Sequence, residues 1–360
     1  MGDWSFEDDE FDDPPPVTRR PLPAAPFSVA PRPPAAKPAT PARDLVTLAA
    51  MGTAAAALAR LDTRLSLASR PVQDGWRARF LYEEASASAR LEGDWSDAPD
   101  LMMAEAGALE GPPGPHLSAT LRVLDMVRLA ARRHPRSFWT PGRLARLASA
   151  LPQRDESAAR FAGGLLEAGD PTQAWEALRR VLTPARILEW QQLGPLLGAA
   201  DILRVWNSQG LDALLGGAPG RILAAAWPWR LGETSGLTLP VAWGFVGHAH
   251  AYAPTGPQWD RQFLEAAARG VGRAGDLLDR LLRAEQRLHQ ATVEKRSNSR
   301  LTALAELLIA RPATGSTELA KALATSKQGA LNLLQELLEQ GLAREISGRR
   351  SFRIWTAALL

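Results

Sequence analysis

Four polar residues, Ser326, Lys327, Gln328 and Asn332, open an apolar-striped stretch near the C-terminus, and Arg349, Arg350 and Arg353 follow it. A lysine suits a phosphate or a guanine edge, and glutamine and asparagine carboxamides pair with adenine edges. Arginines at a hairpin tip pack against nothing and suit a polyanion. Together these types can recognise duplex nucleic acid, four of them reading a groove and three neutralising phosphates. The competing reading is a small helical interaction or dimerisation domain with a solvated basic hairpin.

The segments that must position these residues lie between positions 299 and 360. Leu301, Leu304, Leu307 and Leu308 repeat at helical spacing up to Pro312. Ser316 is placed to cap a short second helix carrying Leu319, Ala322 and Leu323, with Glu318 in its first turn. Thr325 and Ser326 form a polar turn. A third helix follows with the stripe Ala330, Leu331, Leu334, Leu337 and Leu338, and Gly341 ends it. Two strand-like runs, Leu342–Ile346 and Phe352–Trp355, flank Ser347-Gly348-Arg349-Arg350. This is the element order of a winged helix-turn-helix, whose third helix enters a major groove.

The formal net charge is only +3, but seven acidic residues crowd the first thirteen positions, so the remainder is basic and fits an acidic partner. The chain has no cysteine, which excludes disulfides, thiolate metal sites and cysteine nucleophiles. The first residues are acidic, unlike a signal peptide. No apolar run reaches the ~18 residues that a membrane span needs, so a cytoplasmic protein with no membrane partner is the expectation. Alanine, leucine and arginine dominate, and the fold class expected is all-α apart from the wing.

Three parts are expected. Residues 1–43 read as a disordered arm, first acidic with Trp4, Phe6 and Phe11 interleaved and then too proline-rich to pack. Its aromatics could dock on a protein partner. Residues 44–294 read as a helical body and residues 295–360 as the winged helix. In the body, helices are predicted over Leu45–Leu67 with a break at Gly52, over Gly75–Leu91 behind an Asp74 cap, and over Ala98–Leu109. Further helices are predicted at Leu117–Arg133, Pro141–Leu151, Ser157–Ala168, Gln173–Leu182, Ile187–Trp206 and Arg221–Leu231. A long helical region, Trp259–Val293, is expected to break near Gly270-Val271-Gly272. Phe80, Leu81, Ala85, Ala89 and Leu91 can face a core, with Glu83, Glu84, Ser86 and Arg90 on the exposed side. The tryptophans sit in apolar segments and read mostly as core.

Ser88-Ala89-Arg90-Leu91-Glu92-Gly93, preceded by Glu84-Ala85-Ser86-Ala87, resembles the Ser/Thr-x-x-x-Glu-Gly/Asn helix of Fic-domain proteins. In autoinhibited Fic enzymes that glutamate blocks the ATP γ-phosphate. Gly194 to Ala200 is similar to the start of the buried Fic helix, and Ala213 to Arg221 lies where the loop His-Pro-Phe-x-Asp/Glu-Gly-Asn-Gly-Arg-x-x-Arg belongs. The whole arrangement resembles an alphaproteobacterial group with a Fic-like body and a C-terminal winged helix. The resemblance places Ala213 at the general-base histidine, Gly217 at the metal-binding acid, Pro219 at the asparagine and Ala224 at the second arginine; only Gly220 and Arg221 match. Without the base and the acid, adenylyl transfer is not expected. Gly220-Arg221 then reads either as an anion site at a helix N-terminus or as a tight turn with a surface arginine, and Glu92 as a residue without its inhibitory partner.

His248 and His250 offer two imidazoles but no third ligand at a recognisable spacing, so neither a metal nor any other cofactor is expected. The reading that results is a DNA-binding protein, a transcriptional regulator or a plasmid or mobile-element factor, with a catalytically inactive Fic-like body that dimerises or senses a ligand. The alternatives are a Fic-like nucleotide or phosphate transferase with His248 or His250 as an atypical base, and a protein-binding scaffold.

Overall fold

The computed structural model describes residues 44–109, 111–132, 171–293, 300–348 and 353–359. The arm at 1–43, the helices expected at 141–151 and 157–168, and the tip residues Arg349 and Arg350 lie outside these. The described chain is mostly helical, with one small antiparallel sheet in the C-terminal region.

The helices are α1 (Leu45–Leu67), α2 (Arg70–Arg90), α3 (Ala98–Glu105), α4 (Pro115–Arg132), α5 (Pro171–Val181), α6 (Pro184–Ser208), α7 (Leu211–Leu215), α8 (Ala218–Leu231), α9 (Val241–Phe245) and α10 (Trp259–Val293). Then come α11 (Arg300–Ala310), strand β1 (Thr314–Gly315), α12 (Ser316–Ala322), α13 (Lys327–Glu339), β2 (Ala343–Glu345) and β3 (Ile354–Ala357). The sheet order is β1-β3-β2, with Thr314 opposite Trp355 and Ala343 opposite Ala357.

Several boundaries differ from expectation for local reasons. Gly52 does not interrupt α1. The α2 helix starts four residues before Asp74, because the Ser69 hydroxyl accepts from the Val72 amide and Pro71 sits in the first turn. The α10 helix runs unbroken through Gly270 and Gly272. Gly270 is needed for close approach: a Cβ there would lie 2.3 Å from the Pro240 carbonyl oxygen just ahead of α9. Ser316 is the first residue of α12 and Gly315 its cap, since the chain enters from β1, a strand too short to leave a pattern in the sequence. The α6 helix bends at Gly194, whose φ of 80° only glycine adopts freely and which precedes Pro195.

By length and composition α1 is apolar enough to cross a membrane, which amends the expectation that no stretch is. In this structure it lies along α10 through Ala54, Leu58, Leu61 and Leu65.

The α2 helix sits at the centre, packed by α3, α4, α8, α9, α10 and α11. Fully buried Trp76, Trp190, Trp206, Trp227 and Trp259 fill the core. Their indole N–H groups are satisfied by carbonyls or a carboxylate; Trp76 donates to Ala274 O at 2.8 Å and Trp259 to Ala200 O at 2.8 Å. Among the described tryptophans, Trp229 is half-buried and Trp95 is 73% exposed.

Candidate nucleic-acid interface

The three helices α11, α12 and α13 close on Leu301, Leu304, Leu308, Leu319, Ala330, Leu334 and Leu337, all buried. Trp355 and Ile354 of β3 are buried as well. Between α12 and α13 the chain turns at Ala324, whose φ of 46° is in the left-handed region and costs about 1 kcal/mol for a residue with a Cβ. That turn sets α13 across α12 and presents its first residues outward.

Ser326, Lys327, Gln328 and Asn332 are all exposed. Ser326 is occupied: its hydroxyl caps α13 by accepting from the Gly329 amide at 3.0 Å. The Gln328 Nε2 donates to Asn332 Oδ1 at 2.9 Å, an i,i+4 pair that leaves the Gln328 carbonyl oxygen and the Asn332 amino group facing out. One free acceptor and one free donor, held side by side, match the donor–acceptor edge of adenine. Lys327 lies beside them. Arg353 is exposed next to β3, with Nε 3.7 Å from a Glu345 carboxylate oxygen. Exposed Lys321 of α12 and Arg344 of β2 add to the basic surface, and sequence reading passed over both. An exposed lysine ending a helix and an alternating basic residue in a strand were the available signals.

The body contributes three buried polar centres, two of which correct expectations. Arg221 is no surface residue; it is 2% exposed. Its Nε donates to Ser88 Oγ at 2.8 Å, its Nη2 donates to Ser88 O at 3.0 Å, and it pairs with Glu92. Glu92 therefore has a partner after all, supplied by Arg221 at the start of α8. Burial opposes the Arg221 charge, but Tyr252 and Glu92 outweigh it and hold its pKa above the usual value. Gly220 serves packing: a Cβ there would lie 2.6 Å from the Trp206 ring. Gly93, with φ of 91°, turns the chain after α2. The structure thus gathers Ser88, Glu92 and Arg221, and leaves no free guanidinium in that group for an anion.

Glu84 and Ser86, expected on the exposed side, are buried, at 5% and 4%. The Glu84 carboxylate accepts from the Ala242 amide at 2.7 Å and the Trp243 amide at 3.0 Å, at the N-terminus of α9. Burial pushes its pKa up to about 7 against the pull of those amides and of Arg221.

Arg79 is the third centre and had no place in the sequence reading. It is 4% exposed, has no carboxylate partner among the described residues, and ends on carbonyls. Its Nη1 donates to Ile309 O at 2.7 Å, and its Nη2 donates to Leu308 O and Arg311 O, each at 3.2 Å. These are the unsatisfied C-terminal carbonyls of α11, where the helix dipole favours a cation. Gly75, one turn earlier, lets the helices touch, since a Cβ there would sit 2.0 Å from Ile309 O. Burial pulls the Arg79 pKa down to about 10, still far above neutrality.

His248 and His250 are exposed around a short 3₁₀ turn (Ala249–Ala251). Among the described residues no group of three or more His, Asp or Glu side chains is placed to hold a metal.

Residues 301–357 match the family model of the HTH DNA binding domain. A protein of Sinorhizobium fredii (strain NBRC 101917 / NGR234), "Uncharacterized protein y4cF", is similar to this chain at 26% identity, over 82% of this chain and 93% of its own length. The family match lies wholly in the C-terminal segment, and neither it nor the relative supports the expected resemblance of the body to Fic proteins. The C-terminal helix-turn-helix implies DNA as the partner.

Proposed function

We propose that the protein reads duplex DNA with the first turns of α13 in the major groove and acts as a transcriptional regulator or as a plasmid or mobile-element factor. The observation that carries this is the outward-facing Gln328–Asn332 pair beside Lys327, on the third helix of a segment that matches a DNA-binding family. Arg349, Arg350 and Arg353 neutralise phosphates in this reading. The protein binds as a homodimer, because one module touches too few bases for genomic specificity. The body, Fic-like in its Ser88–Glu92 and Gly220-Arg221 residues, performs no nucleotide transfer; the buried Arg221 is neutralised by Glu92 at the surface.

The test is DNA binding by the Arg349→Ala, Arg350→Ala double variant. The slope of log affinity against log salt flattens by about two, one for each phosphate no longer neutralised. An unchanged slope removes the wing from the interface.

A further inference from the structure

The α1 helix packs inward through Ala54, Leu58, Leu61 and Leu65, and its opposite face is open to solvent. Leu45, Leu48, Gly52, Ala55, Ala56 and Ala59 share that open face at helical spacing. Leu45 and Leu48 are 83% and 43% exposed, and Val46 beside them 52%. No ionisable side chain occurs between Asp44 and Arg60. A continuous apolar strip of this kind marks an interaction surface.

Gly52, at the middle of the face, serves nothing inside the chain. Gly75, Gly198 and Gly270 also lie within helices, and at each a Cβ would strike a neighbour nearer than 3.0 Å. At Gly52 no heavy atom lies within 4 Å of where a Cβ would be. A glycine inside a helix is costly in chain entropy, and the close approach of a second helix accounts for it. Gly272 and Gly275 of α10 are open too, on the same stripe as Asp279, which pairs with Arg64 of α1. They widen the strip.

The face is complementary to itself. A two-fold axis at Gly52 relates each position to one equally far on the other side of it in an antiparallel copy. Leu45 then meets Ala59 and Leu48 meets Ala56, large against small. Exposed Asp44 meets exposed Arg60, which makes no ion pair among the described residues. We infer that α1 is the seam of a homodimer, packed antiparallel on its own copy about an axis at Gly52. This rests on the homodimer proposed above and gives it an interface. A membrane surface is a poorer match, because an interfacial helix needs a basic polar face and α1 turns its other face into the body. Each α1 face, 23 residues long, covers about 34 Å by 10 Å. With the α10 strip, the pair approaches the roughly 1,000 Å² that a specific interface needs.

The test uses the full chain without DNA. Sedimentation equilibrium should show a dimer with a dissociation constant in roughly the micromolar range, as suits an interface of that size. Gly52→Glu puts two carboxylates on the axis and should weaken the dimer by about tenfold or more. The open space at Gly52 leaves the protomer room for the side chain, and circular dichroism checks that it is folded. Introduced cysteines give a second reading, since the chain has none of its own. Mild oxidation should join Leu48→Cys chains to Ala56→Cys chains, and neither to itself. A chain that stays monomeric up to about 100 μM removes the homodimer and its seam together. A dimer that folded Gly52→Glu leaves intact, or cysteines that link with themselves and not with each other, overturns the seam and spares the homodimer. A monomer that floats with phosphatidylcholine vesicles, and no longer does so as Gly52→Glu, gives the face to lipid and overturns the inference as well.

Discussion

Replacing Arg79 by methionine should detach the end of α11 from the body. Methionine keeps most of the aliphatic stem and removes the guanidinium, so packing changes little. The loss comprises charge-assisted bonds to Leu308 O, Ile309 O and Arg311 O. A hydrogen bond to a charged group contributes about 1.5–3 kcal/mol, and an acceptor left buried and unpaired costs about 1–3 kcal/mol. Against this, the variant no longer buries a cation, which offsets several kcal/mol. The balance is a destabilisation of about 3 kcal/mol, a sizeable part of the 5–15 kcal/mol typical of a whole fold. Arg79→Lys keeps the charge but not the fork, and should fall about halfway. Urea unfolding followed by circular dichroism reads this as a lower midpoint at constant slope. Hydrogen exchange should show the amides of α11 and β3 opening before those of α6 and α8. A change under about 0.5 kcal/mol, with exchange in α11 unaltered, would refute the reasoning, because it would mean the carbonyls find water at no cost.

Glu84 has a folded pKa near 7 and an ordinary unfolded one of 4.5. Its contribution is therefore fully present below pH 4.5 and is lost as pH rises through 7, so stability declines between those limits. Glu84→Gln should flatten that decline in urea midpoints measured from pH 5 to 8; an unchanged profile would remove Glu84 as its source. Ala324→Gly relieves the left-handed turn at the expense of chain entropy and should change stability by under about 1 kcal/mol, whereas Ala324→Val should destabilise by more. A valine variant as stable as the parent would show that the turn carries no strain. Gln328→Ala should relax sequence preference more than affinity in a competition between selected and random duplexes, by about 1–3 kcal/mol at one base. Equal losses on every sequence would mean that Gln328 reads no base.

Much of the C-terminal segment was legible because its signals are local. Leucine spacing in α11 and α13, Ser326 as a cap and Gly341 as a stop each act within a turn or two, and the structure places them accordingly. The exposed quartet followed from the same periodicity. What local reading missed is set by distant parts of the chain. Gly270 looks like a helix breaker until Pro240 is seen against it. Glu84 and Ser86 look like solvent-facing polar residues until α9 covers the first and α3 approaches the second. Arg79 and Arg221 look like surface cations, yet their partners lie 230 and 133 residues away in sequence. No periodicity announces a charge that is buried by another helix. The pairing of Glu92 with Arg221 shows a further limit: the resemblance supplied both residues, but substituting Ala224 for the second arginine hid that the first could take its place.

The most direct test of DNA recognition through α13 is titration of a random-sequence duplex with the full chain at several salt concentrations, beside Lys327→Ala. The account predicts a dissociation constant in or below roughly the micromolar range that weakens steeply with salt, and a slope shallower by about one in the variant. Absence of binding at low salt, or a variant with affinity and slope unchanged, would contradict it.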